Sequence, residues 1–511
     1  MKLREPAFPQ KSAHVGTSAT QSPVIGPLTP WGVVLVLLAL FGFITRVIGV
    51  NKLTDGGTPI FDEKHYVPQA WEIARSWQNP FLPGIEDNPG FGLVVHPPLA
   101  KQLEAVAMMI FGYTPLGWRI VSALFGVAVI LLTAMIARRL ANNTMVGMFA
   151  GVFALCDGIL FVTARSGMLD HIQTLFVVAA TYCAIRDAQQ MNARFSAVYR
   201  QGRMRDHVYG PRMGFRWWRF GIAVALGMAL SVKWSGLYYM AFFGLAIVAY
   251  DYFRRRRYGV TRPLVGTIVL DILPNFVAIV VIPALTYVLS WRSWFASETG
   301  AFRHAVESGR YEQTQGWVLG FLPDSVQNFV YYHLSVLQFH SQLTNSNGHY
   351  HSWESKPWSW LATTRSLMYY NPTQEDGRHS VVLLVGTPAI WWLCVPILLW
   401  GLWCLIIKRQ GTWGVPLVAF GAGFLPWLAQ FDRQMYLFYA TNLAPFLVIM
   451  LAMAIGQVWN NHQWSQRTRT ILVVGYATIV VWNFLFFLPI YTGMPLSNFE
   501  YLMRIWLPSW T

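Results

Sequence analysis

Just after its first long apolar segment the chain reads Phe61-Asp62-Glu63-Lys64-His65-Tyr66, two adjacent carboxylates followed by two basic side chains. A positioned carboxylate is a natural general base for a hydroxyl nucleophile. Neighbouring side chains diverge by about 100° on a helix and point to opposite faces of a strand. Asp62 and Glu63 are therefore expected to differ in role, one acting on a proton while the other orients a partner or is held by a cation. The competing reading is a solvated, self-paired charge cluster beyond a helix end.

Four further stretches carry ionisable groups. In VVHPPLAKQLEA (Val94 to Ala105) the paired prolines set an extended start and permit a helix from Leu99. That places His96 and Lys101 near each other, although Pro-Pro before a helix also serves as a plain structural stop. ARSGMLDHI (Ala164 to Ile172) is a turn between apolar segments with Arg165, Asp170 and His171. In SVKWSGLYY (Ser231 to Tyr239), Lys233 interrupts two apolar segments. Ionisable residues this close to hydrocarbon are functional candidates; the alternatives are snorkelling and an Arg165–Asp170 pair. DRQMYLFYATNLAPF (Asp432 to Phe446) offers Arg433, Tyr436, Tyr439 and Asn442 as a polar stripe on a helix, or as helix–helix hydrogen bonding. Asp157 and Asp271, inside apolar segments, read as locally paired or near a span end.

These groups are carried by a chain of 511 residues that is 54% hydrophobic and only 12% charged. Soluble chains average roughly 25% charged residues, so the composition predicts an all-α polytopic membrane protein. Eleven apolar segments are candidate spans, the fourth and fifth of them shorter than the ~20 residues a crossing needs: Trp31–Val50, Leu116–Ala137, Met145–Ala164, His171–Ile185, Phe220–Val232, Leu237–Phe253, Leu264–Leu289, Val381–Ile407, Trp413–Gln430, Met435–Gln457 and Thr470–Ile490. The net charge of +15 sits in short basic runs between them, as the positive-inside rule requires and nucleic-acid binding does not. This pattern predicts a cytoplasmic N-terminus, most carboxylates outside, and an external C-terminus. Residues 1–30 read as a disordered cytoplasmic tail, 31–290 as a transmembrane module with a catalytic first outer loop at 51–115. Residues 291–380 form a second long outer loop, and 381–511 the C-terminal helices. Cys156, Cys183, Cys394 and Cys404 lie in apolar segments, with no disulfide framework or zinc pattern.

Arg46, Lys101, Arg165, Lys233 and Arg433 are all predicted at one membrane face. Cations there suit a lipid-linked phosphate, and a carboxylate base suits a hydroxyl acceptor. Together they describe glycosyl transfer from a polyprenyl-phosphate sugar by single, inverting displacement. A secondary transporter would show repeats with broken helices meeting at the midplane, and none is visible. A purely structural membrane protein offers no reason for so many ionisable groups at one face.

FDEKHY, HPPLAK, RSGMLD, SVKWSGLY and HYHSWESKPWSW occur in an order that resembles the protein O-mannosyltransferases, a family of GT-C glycosyltransferases, and the length resembles its actinobacterial members. The resemblance runs from Arg46 to about Pro445. It implies a GT-C architecture, polyprenyl-phosphate mannose as donor, Ser or Thr of an exported protein as acceptor, an α-mannoside product and a cell-membrane location. It implies Asp62 as the catalytic acidic position with Glu63 beside it for the acceptor, and Arg165 and Lys233 at the lipid phosphate. Lys101, Arg46 and Arg433 are further candidates for the donor phosphate and lipid. His96, Asp170, His65, Glu354 and Lys356 are candidates for acceptor or sugar contacts. Membrane lipids are the other partners; no cofactor is assigned and a divalent metal is left open. The usual Gly of HPPLGK is Ala100 here, and the family's His-His-Tyr-x-Pro stretch is matched only loosely by Tyr439, Asn442 and Pro445. The second outer loop is too short for the MIR domain of eukaryotic members. A GT-C enzyme acting on a lipid or glycan acceptor is the neighbouring alternative.

Overall fold

The computed structural model describes residues 29–79, 81–85, 95–309, 320–372 and 377–511. The expected disordered tail therefore falls almost wholly outside the described residues. The chain runs through α1 (Pro30–Val47), α2 (Glu63–Arg75), α3 (Leu99–Phe111), α4 (Pro115–Ala141), α5 (Thr144–Leu155) and α6 (Gly158–Thr163). Then follow α7 (Leu169–Arg200), α8 (Trp217–Val232), α9 (Gly236–Arg257) and α10 (Pro263–Ser290). Beyond the second loop segment lie α11 (Asp324–Gln342), a hairpin of β1 (Leu367–Tyr370) and β2 (Val382–Leu384), α12 (Cys394–Ile406), α13 (Gly414–Phe424), α14 (Ala444–Trp459) and α15 (Gln466–Thr492).

The long helices start where local chemistry dictates. Thr29 and Thr114 each accept a hydrogen bond from the backbone three residues on (3.1 and 3.2 Å), and Pro30 and Pro115 occupy the first helical position. The hydroxyl satisfies a backbone donor the helix leaves open, and proline there loses nothing. Among the described residues seven helices are long and apolar enough to cross a membrane by length and composition, and α5, α8 and α14 are shorter apolar helices. Every one of the eleven expected segments coincides with helix. Three need correction, because the third breaks at Cys156-Asp157 into α5 and α6, the eighth opens with strand β2 and the tenth holds the tight 3-10 turn Leu437–Asn442 near its start. The molecule is a multi-span helical membrane protein carrying one antiparallel two-stranded sheet.

Helix α4 is central, packing against α1, α5, α7 and α14, while α7 packs along α8. At the end of the bundle predicted to face inward, Asp187 and Asp251 share Arg216, Arg219 and Arg254 in a buried cluster, with Arg254 Nη1 2.6 Å from Asp251. Arg255 meets Asp271 at 2.7 Å. Two of the four consecutive arginines, Arg254 and Arg255, thus anchor the bundle, and Asp271 is locally paired. Asp157 caps α6, accepting from Leu160 N (2.9 Å) and Trp391 Nε1 (2.6 Å).

The next residue, Gly158, has no room for a side chain. A Cβ there would lie 2.3 Å from the Val385 carbonyl oxygen and 2.5 Å from the Tyr491 hydroxyl. Since a backbone carbonyl cannot swing away, Gly158→Ala should destabilise the fold by about 1–3 kcal/mol. A lowered melting temperature in detergent, by differential scanning fluorimetry, is the expected result; an unchanged one would mean the α6–β2 contact yields.

Candidate active site

The two adjacent carboxylates have opposite fates. Asp62 is the N-cap of α2 and Glu63 its first residue, so their side chains leave on different sides of the helix axis. Glu63 is fully buried and faces Arg119 of α4 in a two-pronged ion pair, Nε to Oε1 at 2.7 Å and Nη2 to Oε2 at 2.6 Å. It also accepts from Gly167 N (2.8 Å) and Ile60 N (3.2 Å). The remaining Arg119 donors reach the carbonyls of Val50 (2.6 Å) and Leu53 (2.7 Å). The lone pairs of Glu63 are occupied, which suits a structural anchor. The self-paired charge cluster is thereby dismantled: Glu63 turns inward, and Lys64 reaches Asp55 at 3.8 Å on the surface.

No cation lies within ion-pairing distance of Asp62 among the described residues. Asp62 is half-buried and is not itself among the residues that line the neighbouring cavity, and the surrounding fold withdraws it from bulk water. That burial pushes its carboxyl up to about 6, against the opposing fields of His65 and Lys233. Asp62 is thus a carboxylate at neutral pH with the basicity of a general base. Phe61, immediately before it, adopts a left-handed conformation (φ 49°).

Beside this stretch lies a cavity of about 230 Å³, lined among others by His96, Asp170, Lys233, Trp234, His340 and Arg433. Lys233, in an extended conformation at the break between α8 and α9, places Nζ 2.8 and 2.9 Å from the two Asp170 oxygens. Arg433 has no carboxylate partner among the described residues. Its Nη2 approaches His340 Nδ1 at 3.3 Å, its guanidinium lies 5.5 Å from the Trp427 ring, and its buried Nε has no hydrogen-bond partner there. Burial, helped by Arg433, lowers His340 to about 4, and burial with Lys233 and His340 drives His96 well below its ordinary value. Both imidazoles are neutral, so Arg433 is the cavity's uncompensated cation.

Of the five cations expected at the phosphate, the fold brings Lys233 and Arg433 to the cavity and leaves three elsewhere. Arg165 donates to the carbonyls of Thr45 (2.7 Å) and Ile48 (2.8 Å), tying down the C-terminal end of α1. Arg46 donates to Leu155 O at 3.1 Å, and both guanidiniums stack over Phe161 at just over 5 Å. Lys101 is buried against Gln69 (3.2 Å) between α3 and α2. The alternative Arg165–Asp170 pair does not form, since Asp170 takes Lys233. His96 and Asp170 line the cavity; His65 lies on the exposed face of α2. Glu354 and Lys356 hold the turn that presents Arg433, Lys356 Nζ donating to the Arg433 carbonyl at 2.9 Å and meeting Glu354 at 3.6 Å. Of the expected stripe Arg433, Tyr436, Tyr439 and Asn442, all but Tyr436 line the cavity, Tyr439 and Asn442 from a 3-10 turn instead of an α-helix and Arg433 from the segment before it.

Sequence reasoning missed Arg119, which sits inside a continuous apolar run and looks like one more basic flank. It also missed His340, whose partners come from loops remote in sequence. Among the described residues no three His, Cys, Asp or Glu side chains converge as metal ligands.

The molecule is a multi-span helical scaffold with a carboxylate and cations gathered at one cavity, and its fold is that of the GT-C class. Family models for the C-terminal four-transmembrane region of protein O-mannosyltransferases and for dolichyl-phosphate-mannose-protein mannosyltransferases match residues 325–510 and 95–199. The polyprenol-phosphate-mannose–protein mannosyltransferase of Corynebacterium glutamicum is 50% identical over 93% of this chain and 92% of its own length. The one from Mycobacterium tuberculosis is 43% identical over 99% of both. The chain belongs to the protein O-mannosyltransferase family and is a mannosyltransferase. A solved structure, the S. cerevisiae Pmt1–Pmt2 complex bound to the sugar donor, shares the fold (TM-score 0.71) over 94% of this chain and 93% of that one, at 14% identity.

Removing one partner of a buried, hydrogen-bonded ion pair strands the other charge and costs about 3–5 kcal/mol. Arg119→Met should therefore unfold the region around α2 and depress the melting temperature far more than Asp62→Asn does. Equal thermal stability of the two variants would show that the Glu63 carboxylate does not need its partner.

Proposed function

We propose that the chain transfers mannose from polyprenyl-phosphate mannose to Ser or Thr hydroxyls of exported polypeptides, on the extracytoplasmic face of the cell membrane. Asp62 takes the proton of the acceptor hydroxyl as its oxygen attacks the anomeric carbon. The bond from that carbon to the phosphate oxygen breaks, and the electron pair leaves with the lipid phosphate. A phosphate leaving group needs its charge neutralised rather than an acid to protonate it, so one base suffices and the configuration inverts. Arg433 and Lys233 meet the developing charge, where fixed cations in a site screened from water act most strongly. His340 and Asp170 hold those two cations in place. Glu63 carries the loop and takes no proton. The observation that carries this reading is the unpaired, desolvated Asp62 beside a cavity whose one uncompensated charge is Arg433. The names of the relatives supply the donor and the protein acceptor.

The test uses purified chain, polyprenyl-phosphate mannose and a Thr-rich peptide. Asp62→Asn should lower turnover by roughly 10²–10⁴-fold, the range for losing a positioned base, with donor binding retained. Transfer at near wild-type rate would remove Asp62 from the mechanism. Mannosylation of a lipid or glycan, with none on peptide, would replace the acceptor assignment. Because the base must be deprotonated, kcat/KM should fall as pH drops through about 6 and level off above it. A profile flat through that pH counts against Asp62. Arg433→Gln should raise the KM for the donor at least about tenfold, the scale of a lost charge-assisted hydrogen bond; an unchanged KM would place the phosphate elsewhere.

A further inference from the structure

Strand β1 breaks its own ladder next to Asp62. Leu367 pairs with Leu384, Met368 with Leu383 and Tyr370 with Val382, which leaves Tyr369 as the extra residue of a β-bulge. A bulge bends its strand locally and can re-aim a side chain. Here it turns the Tyr369 ring flat onto Phe61, with centroids 4.5 Å apart and planes 13° from parallel. Phe61 is the residue whose left-handed backbone sets up the Asp62 turn. Two unusual backbone features, remote in sequence, thus abut at the carboxylate. The strand is held firmly for this, with the Tyr370 hydroxyl on Thr54 O and Ser366 Oγ on Trp510 O, each at 2.9 Å.

Tyr369 is only 4% exposed, and its hydroxyl has no hydrogen-bond partner among the described residues. Phenylalanine would make the same stack without stranding a buried polar group, and stranding one is costly. The hydroxyl lies in the fields of Asp170, Asp62 and Glu63, and burial together with these charges raises its pKa well above the ordinary tyrosine value. It is therefore a fixed donor. Asp62 marks the attacking side of the site, and Asp170 with Lys233 marks the phosphate side. In an in-line displacement the transferred sugar lies between them.

Building on the reaction proposed above, we infer that the Tyr369 hydroxyl donates a hydrogen bond to a hydroxyl oxygen of the transferred sugar, making it a specificity-determining residue of the sugar subsite. The test compares wild type with Tyr369→Phe, using polyprenyl-phosphate mannose and a set of singly deoxygenated mannosyl donors. Tyr369→Phe should lower kcat/KM for the mannose donor by roughly tenfold, the scale of one hydrogen bond in a dry site. Binding of sugar-free polyprenyl phosphate should be unchanged, and the melting temperature unchanged or higher. Wild type should penalise one deoxygenated donor by a similar factor, and the variant should not. A variant with full activity, or the same donor preference in both proteins, overturns the inference. Should the variant fail to accumulate, wild type transferring every deoxygenated donor equally well also overturns it, and a penalty confined to one donor supports it. The donor comparison reads out on whichever acceptor the enzyme uses, so failure on peptide refutes the acceptor assignment alone.

Discussion

The buried pair of Glu63 and Arg119 is the interaction on which the site depends. One guanidinium on α4 ties the turn after α1, through the carbonyls of Val50 and Leu53, to the start of α2, through Glu63. The carboxylate in turn grips the backbone at Gly167, in the turn entering α7. Four segments distant in sequence are thereby registered on one charge pair. Such a pair does not repay its desolvation by Coulomb attraction alone; here Arg119 makes four hydrogen bonds and both Glu63 oxygens accept two each, and what results is position. With Glu63 locked inward, helical geometry sends the Asp62 side chain off in a different direction, away from Arg119.

The same logic sorts the cations. Arginine carries five donors in a rigid fork, and the number already committed decides what it can offer a ligand. Arg119 gives its donors to Glu63 and two carbonyls, and Arg165 and Arg46 give theirs to carbonyls at the end of α1 and before α6. Arg433 has only a neutral imidazole at 3.3 Å. Lys233 is a point charge already matched by Asp170, so it lends direction more than net charge. An anion entering the cavity therefore meets a field dominated by one residue, which sequence reading had ranked with four others.

How much of this was legible beforehand follows from what periodicity and composition encode. Apolar length revealed the helices because a span must bury its own backbone polar groups wherever it sits. Sequence also placed Asp62, Lys233, Asp170, His96 and Arg433 among the chemical candidates, since charge beside hydrocarbon stands out. It could not divide Asp62 from Glu63, because that division is made by Arg119, 56 residues away. Nor could it tell a spent guanidinium from a free one, which is a matter of long-range carbonyl partners. Strand β2 hid inside an apolar segment because a short buried strand and a helix start share the same composition.

Some of the molecule's strain and unsatisfied polarity falls beside the site. The left-handed Phe61 and the bulged Tyr369 with its stranded hydroxyl adjoin Asp62, and the Arg433 Nε without a partner belongs to a residue that lines the cavity. Elsewhere the outcome is mixed: Asp157 caps α6 and takes the Trp391 N–H, and Asp187 and Asp251 share three arginines, whereas both oxygens of the buried Glu104 and the Nε of Arg219 have no hydrogen-bond partner among the described residues. Polar groups held ready but unpaired cost stability in the empty protein, and they recover it only when a ligand supplies the missing partners. A polyhydroxylated sugar on a phosphate supplies acceptors for both Tyr369 and Arg433, and its hydroxyl-bearing acceptor supplies the proton for Asp62. That is why the unsatisfied groups of the cleft, read together, describe the substrate better than its satisfied ones do.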